Sequence, residues 1–245
     1  SLKFYLRYLA GIGEPEEVRE EIDAAGFGTV VHESIRLLYE EIADRHSGML
    51  PAEDLDHLIQ TSHPEKILRE TFLKQHFHGR KTASIEGHNI IAFRIMLRYL
   101  QKIIQTDLGI APFRLVSAER TYQRTLTLKL NGVPADIRMG GKIDRVDQTG
   151  EQLRVIDYKT GEVRQQFPSV ESLFQQDSTK RNSAAFQTLY YAWLVEEAYP
   201  EGAIMPGLYG MRALYDPAFD PALHVGSRGN RERLDAFESV PNSSI

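Results

Sequence analysis

The chain has 245 residues, a formal net charge of −5, 42% hydrophobic residues and no cysteine. That length allows one large domain or two small ones, and the composition is that of a soluble globular protein. It excludes a disulfide framework, a zinc ribbon and a thiolate cluster. No apolar run approaches the roughly 18–20 residues of a membrane span, so no membrane partner is expected. The mild acidity argues against a uniformly basic coat for nucleic acid but leaves room for a local basic track.

The chain opens on Ser1-Leu2-Lys3-Phe4-Tyr5-Leu6-Arg7-Tyr8, an aromatic, amphipathic run without a secretory pattern. It reads as the interior of a longer protein, and with the missing cysteines it fits a cytoplasmic one. Gly28-Thr29 precedes Val31, Ile35, Leu38 and Ile42 at helical spacing, which predicts a helix capped by Thr29. Ser62-His63-Pro64-Glu65 has the capping-box form ahead of Ile67, Leu68, Phe72 and Leu73. A long helix is expected from about Glu86 to Thr106, with Ile91, Ile95, Leu100 and Ile103 among its apolar positions.

The pattern then changes. Phe113 to Glu119 reads as a strand, and Thr125 to Leu130 alternates strictly up to the turn Asn131-Gly132. A hairpin follows, then a polar stretch from Gln165 to Asn182. A helix is predicted from Ala184 to Tyr199, a strand from Ile204 to Met211, and an irregular tail from Asp216. This order predicts a single domain over residues 1–245. It has a mainly helical part at 1–110, a core at 111–215 and the tail at 216–245. The fold class is α/β, a mixed central β-sheet flanked by helices with an N-terminal helical elaboration.

The hairpin carries the chemistry. Gly141-Lys142-Ile143-Asp144-Arg145-Val146-Asp147 runs into Ile156-Asp157-Tyr158-Lys159-Thr160-Gly161. If Thr149-Gly150 is a two-residue loop, Gln148 pairs with Glu151, Val146 with Leu153 and Asp144 with Val155. Asp144, Val155, Asp157 and Lys159 then share a face, and the two aspartates are diagonal neighbours roughly 7–8 Å apart at the backbone. Two carboxylates so placed converge on one hard cation, with a lysine beside it. Asp-x-Lys alone is common and usually a solvated strand edge; the preceding Gly-x-x-Asp and the hairpin spacing make it a candidate divalent-metal site.

Two further motifs flank it. His32, in Gly28-Thr29-Val30-Val31-His32, lies one position around from an apolar stripe. Such a histidine is usually a helix-surface residue, and its functional reading is an imidazole completing a metal's coordination. Gln187 and Tyr191, four apart, share a helix face and could hydrogen-bond or stack on a nucleic-acid strand. Otherwise they are simply part of a core helix.

Taken together, these residues resemble the RecB-like exonuclease branch of the PD-(D/E)xK nuclease superfamily. The likeness is to the C-terminal nuclease domain of AddB-type helicase–nuclease subunits and to CRISPR-associated RecB-like exonucleases. It runs in order from Phe4–Tyr8 through Gly28-Thr29-x-x-His32, Glu119, Gly141–Arg145 and Asp157–Gly161 to Gln187-x-x-x-Tyr191. The resemblance implies a restriction-endonuclease-like core. It implies that His32, Asp144, Asp157 and the main-chain carbonyl of Tyr158 ligate Mg²⁺ or Mn²⁺, and that Lys159 orients the attacking water. Asp144, Asp157 and Lys159 are then the catalytic set. Gln187, Tyr191 and Arg145 would contact the DNA, and Glu119 is a possible additional acidic residue. Many relatives hold an iron–sulfur cluster on four cysteines; without cysteine none forms here.

The expected function is a metal-dependent deoxyribonuclease acting on single-stranded DNA or DNA ends in repair and recombination, with a possible helicase–nuclease partner subunit. A basic track is expected from Arg94, Arg98 and Lys102 on the long helix, with Arg80-Lys81 and Lys180-Arg181 in loops. The chain is no motor, since Gly140-Gly141-Lys142-Ile143 lacks the remaining parts of a phosphate-binding loop. One alternative is a catalytically silent nuclease-fold module that binds DNA or scaffolds a complex. Another is an enzyme acting on a small phosphoester.

Overall fold

The first described helix is longer than its sequence signature. In a computed structural model, which describes residues 21–77, 84–130, 133–175, 181–227 and 229–237, helix α1 runs Ala24–Arg45. Its cap is Asp23, whose side chain accepts the Gly26 N–H at 2.8 Å, and not Thr29. The Thr29 hydroxyl bonds back to the Ala25 carbonyl inside the helix, the usual alternative for a mid-helix threonine. His32 therefore sits in the third turn rather than the first. After the two-residue β1 (Met49–Leu50) come α2 (Ala52–Gln60), α3 (His63–His76) and α4 (His88–Leu108). Ser62 makes no side-chain cap bond, so the anticipated capping box is not formed. Helix α4 buries Phe93, Met96, Leu100, Ile103 and Ile104, while Ile91 and Ile95 face outward.

Strand β2 (Phe113–Leu130) joins the two expected strands into one, and β3 (Val133–Thr149) returns antiparallel to it. Strand β4 is Gln152–Lys159 and β5 is Gln166–Phe167; a 3₁₀ turn at Glu171–Phe174 then leads to α5, Ser183–Glu196. Strand β6 (Ala203–Gly210) lies parallel to β4, and a 3₁₀ turn follows at Ala213–Tyr215. The described part of the tail expected to be irregular holds two strands: β7 (His224–Ser227) and β8 (Asn230–Arg233) form a three-stranded sheet with β5. Strands of two to four residues are too short to show a hydrophobic period. The Phe4–Tyr8 run, Arg80-Lys81, Asn131-Gly132 and Lys180 lie outside the described residues.

The main sheet has the order β1-β2-β3-β4-β6, with β4–β6 parallel and the other pairs antiparallel. Helices α1–α4 pack on one face, where Tyr158 and Tyr209 join their apolar side chains. Helix α5 covers the other, against Ile143, Val146, Leu153 and Val155. The small sheet closes the remainder through Phe167, Leu208, Leu223 and Leu234. Each fully buried aliphatic or aromatic side chain contributes roughly 1.5–3 kcal/mol by area removed from water. Strand β4 and its parallel neighbour β6 are consequently buried on both faces along most of their length.

The β3–β4 register differs from the sequence expectation. Gln148 faces Leu153 and Val146 faces Val155, so the loop is Gly150-Glu151 instead of Thr149-Gly150. Gly150 has φ +60°, and a two-residue hairpin needs a positive φ at its first loop position, which glycine supplies at least cost. Moving the loop by one residue shifts the pairing by two, so the β3 residues that stay in the ladder with β4, Arg145 to Thr149, keep the facing expected for them.

Candidate metal centre

Alternation breaks where the chemistry gathers. Ile143 and Val146 both pack toward α5, while Arg145 between them turns to the opposite side and meets Asp107 of α4. Two irregularities in β2 flank this point. Val116 is bulged out between Leu115 and Ser117, and Glu119 takes φ +49°, a left-handed conformation uncommon outside glycine. The last β3–β4 pair is Arg145 with Ile156; beyond it the Asp144 carboxylate accepts the Tyr158 N–H at 2.8 Å. Asp144 thus leaves the flat-sheet position and reaches the rim of α1.

There it meets two partners. His32 Nδ1 lies 3.5 Å from Asp144 Oδ1 and 3.5 Å from Glu119 Oε1. His32, Glu119 and Asp144 each offer one donor atom, all within 4.8 Å of one another. The imidazole rests against the Tyr158 ring, centroids 5.5 Å apart. A Cβ on Gly28 would lie 3.9 Å from Thr160 Oγ1, so this turn of α1 passes close over the end of β4. Lys142 forms an ion pair with the other oxygen of Glu119.

Asp157, two residues before the end of central strand β4, is 1% exposed. Its carboxylate is held by Lys159 Nζ at 2.6–2.7 Å. Burial pushes the Asp157 carboxyl up to about 6, against the pull of Lys159 and with the added repulsion of Asp144. Burial alone would lower the His32 imidazole; Asp144 and Glu119 outweigh it and raise His32 to about 9. Glu119 is held below its ordinary range because His32 and Lys142 overcome the burial that opposes ionisation.

The donor set fits a divalent cation. It offers one imidazole nitrogen and carboxylate oxygens, suited to Mg²⁺ or Mn²⁺. Glu119 Oε1 is buried and, among the described residues, has no hydrogen-bond partner, although it lies 3.5 Å from His32 Nδ1. A groove of about 450 Å³ opens onto the cluster, lined by His32, Glu119, Lys142, Tyr158, Lys159 and Thr160 among others.

The remaining sequence candidates divide. On α5, Gln187 Nε2 donates to the Tyr191 hydroxyl at 2.5 Å. Tyr191 senses the charges of Asp157, Asp144 and Glu119, although burial is the main cause of its raised pKa. A Cβ on Gly141 would lie 2.8 Å from Tyr191 Cε1. The glycine of Gly-x-x-Asp is therefore the seat of the Gln-x-x-x-Tyr tyrosine. Arg145 is no surface contact for DNA: it is 2% exposed and paired inside the molecule with Asp107 and Asp147. Of the basic stripe on α4, Arg94 and Arg98 are exposed and Lys102 reaches the Tyr215 ring; none lines the groove.

A second cleft, larger than this groove at about 770 Å³, lies beside the small sheet. Arg164, Gln166, Phe219, His224 and Arg231 are among its walls. Among the described residues neither Arg164 nor Arg231 has an ion-pair partner, whereas Asp220 is engaged by Arg233. Sequence reasoning missed this cleft, the Lys142–Glu119 pair and the buried charges Asp107, Asp147 and Arg154. One signal was available: Arg145, Asp147 and Arg154 sit at inward positions of apolar strands.

Fold and site together define an α/β protein in which one helix and two strands of a mixed sheet gather a His/Glu/Asp cluster that could hold a metal ion. The sequence profile of the PD-(D/E)XK nuclease superfamily matches residues 1–239, and the chain belongs to that superfamily. The mixed sheet flanked by helices is its restriction-endonuclease-like fold, and its nucleases use divalent metals. No curated protein matches the chain. No helix among the described residues is long and apolar enough to cross a membrane.

Proposed function

We propose that this protein is a metal-dependent DNA nuclease of the RecB-like exonuclease type, hydrolysing phosphodiester bonds at DNA ends or in single strands. The observation that carries the reading is the meeting of His32, Glu119 and Asp144 in one cluster, on a groove lined by His32, Glu119 and Lys159, with Asp157 buried against Lys159. His32, Asp144 and Asp157 would hold the ion with the main-chain carbonyl of Tyr158, and Glu119 is placed as a further donor. A bound Mg²⁺ or Mn²⁺ supplies Lewis acidity toward the phosphoryl oxygen and lowers the pKa of water.

The chain's own groups do the rest. Lys159, fixed by Asp157, sets an ammonium where the attacked phosphate gains negative charge and orients the incoming water. Gln187 and Tyr191 hold the strand by hydrogen bonding and stacking. Thr160 and Gly161 line the metal groove and Arg164, three residues on, lines the larger cleft. The backbone of a bound strand would run from one to the other, its phosphates on Arg164 and Arg231. The natural setting of this chemistry is end processing in DNA repair or recombination, in the cytoplasm and alongside a helicase–nuclease partner subunit.

The test is cleavage of labelled single-stranded and blunt-ended DNA by purified protein with Mg²⁺ or Mn²⁺. Asp157→Ala and Lys159→Ala should each abolish cleavage and leave DNA binding largely intact. Normal turnover by either variant would refute the reading. The silent-module alternative predicts binding without metal-dependent cleavage in the parent protein; the retained Asp144, Asp157 and Lys159 oppose it.

A further inference from the structure

One buried carboxylate bonds to two of the elements that carry the metal centre, α1 and β3, and to β6, the parallel neighbour of β4. Asp107, near the end of α4, is fully buried. It accepts Arg145 Nη1 and Nη2 from β3 at 2.6 and 3.0 Å. It also accepts the Tyr39 hydroxyl from α1 at 2.6 Å and the Tyr209 hydroxyl from β6 at 2.8 Å. The Arg145 guanidinium is ringed by Tyr39, Phe113, Tyr158 and Tyr209 at 5.4–5.6 Å. A second carboxylate, Asp147, lies 2.9 Å from Arg145 Nε and binds Arg154 of β4 at 2.6 and 2.8 Å. Two acids and two guanidiniums thus balance in the interior.

The members stand next to the candidate ligands. Arg145 follows Asp144, Tyr158 follows Asp157, and Tyr39 is two helical turns from His32 on α1. Arg145 is also the inward residue at the break in alternation that sends Asp144 to the rim. Stability does not demand this arrangement, because apolar residues of similar volume commonly do as well as a buried ion pair. Directional bonds do something packing alone does not: they fix how far one element can slide on another.

We propose that Asp107 is a positioning residue of the metal centre, locking α1 and β3 directly and β4 through its parallel neighbour β6, so that His32, Asp144 and Asp157 keep the spacing one cation needs. This rests on the nuclease reading above and assigns Asp107 no contact with metal or DNA. Its removal should loosen the site before it unfolds the protein.

The experiment is calorimetric titration of the purified protein with Mn²⁺ alone, beside circular dichroism to follow folding. Asp107→Asn should lower Mn²⁺ affinity at least tenfold while the circular dichroism spectrum stays native. Tyr209→Phe, which removes one of the four hydrogen bonds on Asp107, should lower it several-fold. Leu68→Ala, a buried change in α3 away from the site, should lower the melting temperature and leave Mn²⁺ affinity at the parent value. If Asp107→Asn fails to fold, Tyr209→Phe and Tyr39→Phe decide the matter. A parent that binds Mn²⁺, with hydroxyl-deleted variants that titrate identically, overturns the positioning role alone. A parent that takes up no Mn²⁺ overturns the metal-centre reading and this proposal with it.

Discussion

At the scale of single residues, the centre separates groups that bind from groups that make room. His32 belongs to the first kind: its imidazole stands equally far from two carboxylates. His32→Ala should weaken Mn²⁺ binding by tenfold or more, and an unchanged titration would remove it from the site. Gly141 belongs to the second. With Tyr191 Cε1 2.8 Å from where its Cβ would be and Leu194 Cδ1 at 3.4 Å, Gly141→Ala must displace a packed, hydrogen-bonded tyrosine. The expected cost is about 1–3 kcal/mol, typical of overpacking, read as a lower denaturation midpoint together with slower cleavage. A variant as stable as the parent would mean that Tyr191 swings aside freely.

At the scale of elements, the buried charges of α1, α4, β3, β4 and β6 set the response to alkali. Tyr39 and Tyr209 are buried against Asp107, Arg145, Asp147, Arg154 and Tyr158. Burial first, then the Asp107 charge, raises both phenols above their ordinary value. A raised folded-state pKa stabilises the protein fully below the unfolded value near 10, and that contribution is lost as pH rises toward the folded value. Tyr158, in the same cluster, is raised by burial in the same way, and three such phenols imply a fall of about 4 kcal/mol per pH unit above pH ~10, at roughly 1.4 kcal/mol per proton. Denaturant titrations between pH 9 and 11.5 measure it. In Tyr209→Phe the slope should drop by about a third; an unchanged slope would show that other groups govern it.

This scale also marks where the sequence was legible. The order of helices and strands, the mixed sheet and the hairpin between Asp144 and Asp157 follow from periodicity and turn residues, as does the shared face of Gln187 and Tyr191. The helix cap was misplaced because Gly28-Thr29 mimics a boundary while Asp23 supplies the bond. The register was misplaced by one loop residue because glycine serves at either loop position. Arg145 read as a surface cation because one strand cannot reveal Asp107, which approaches from a helix 38 positions away. The break at Asp144 depends on a bulge and a left-handed residue in the neighbouring strand, and neither leaves a mark in local composition.

At the scale of the whole molecule, a net charge of −5 means that binding to a polyanion depends on local geometry. Arg164 and Arg231 line the 770 Å³ cleft and, among the described residues, have no ion-pair partner. Replacing both with alanine should reduce the slope of log affinity against log salt by about 1.4 for single-stranded DNA, at roughly 0.7 per phosphate. Fluorescence anisotropy across a salt series reads it; an unchanged slope would place the strand elsewhere. Cleavage of very short oligonucleotides should be little affected, since they need not reach beyond Thr160.

The bulge at Val116 has a consequence for anyone wishing to redesign this molecule. A perfectly pleated version would turn side chain 144 to the side of Val146 and Val155, toward α5 and away from His32. Tidying the ladder would give a handsomer sheet with nowhere to seat an ion. Deleting residue 116 should therefore extinguish cation uptake even in a variant that melts at a higher temperature.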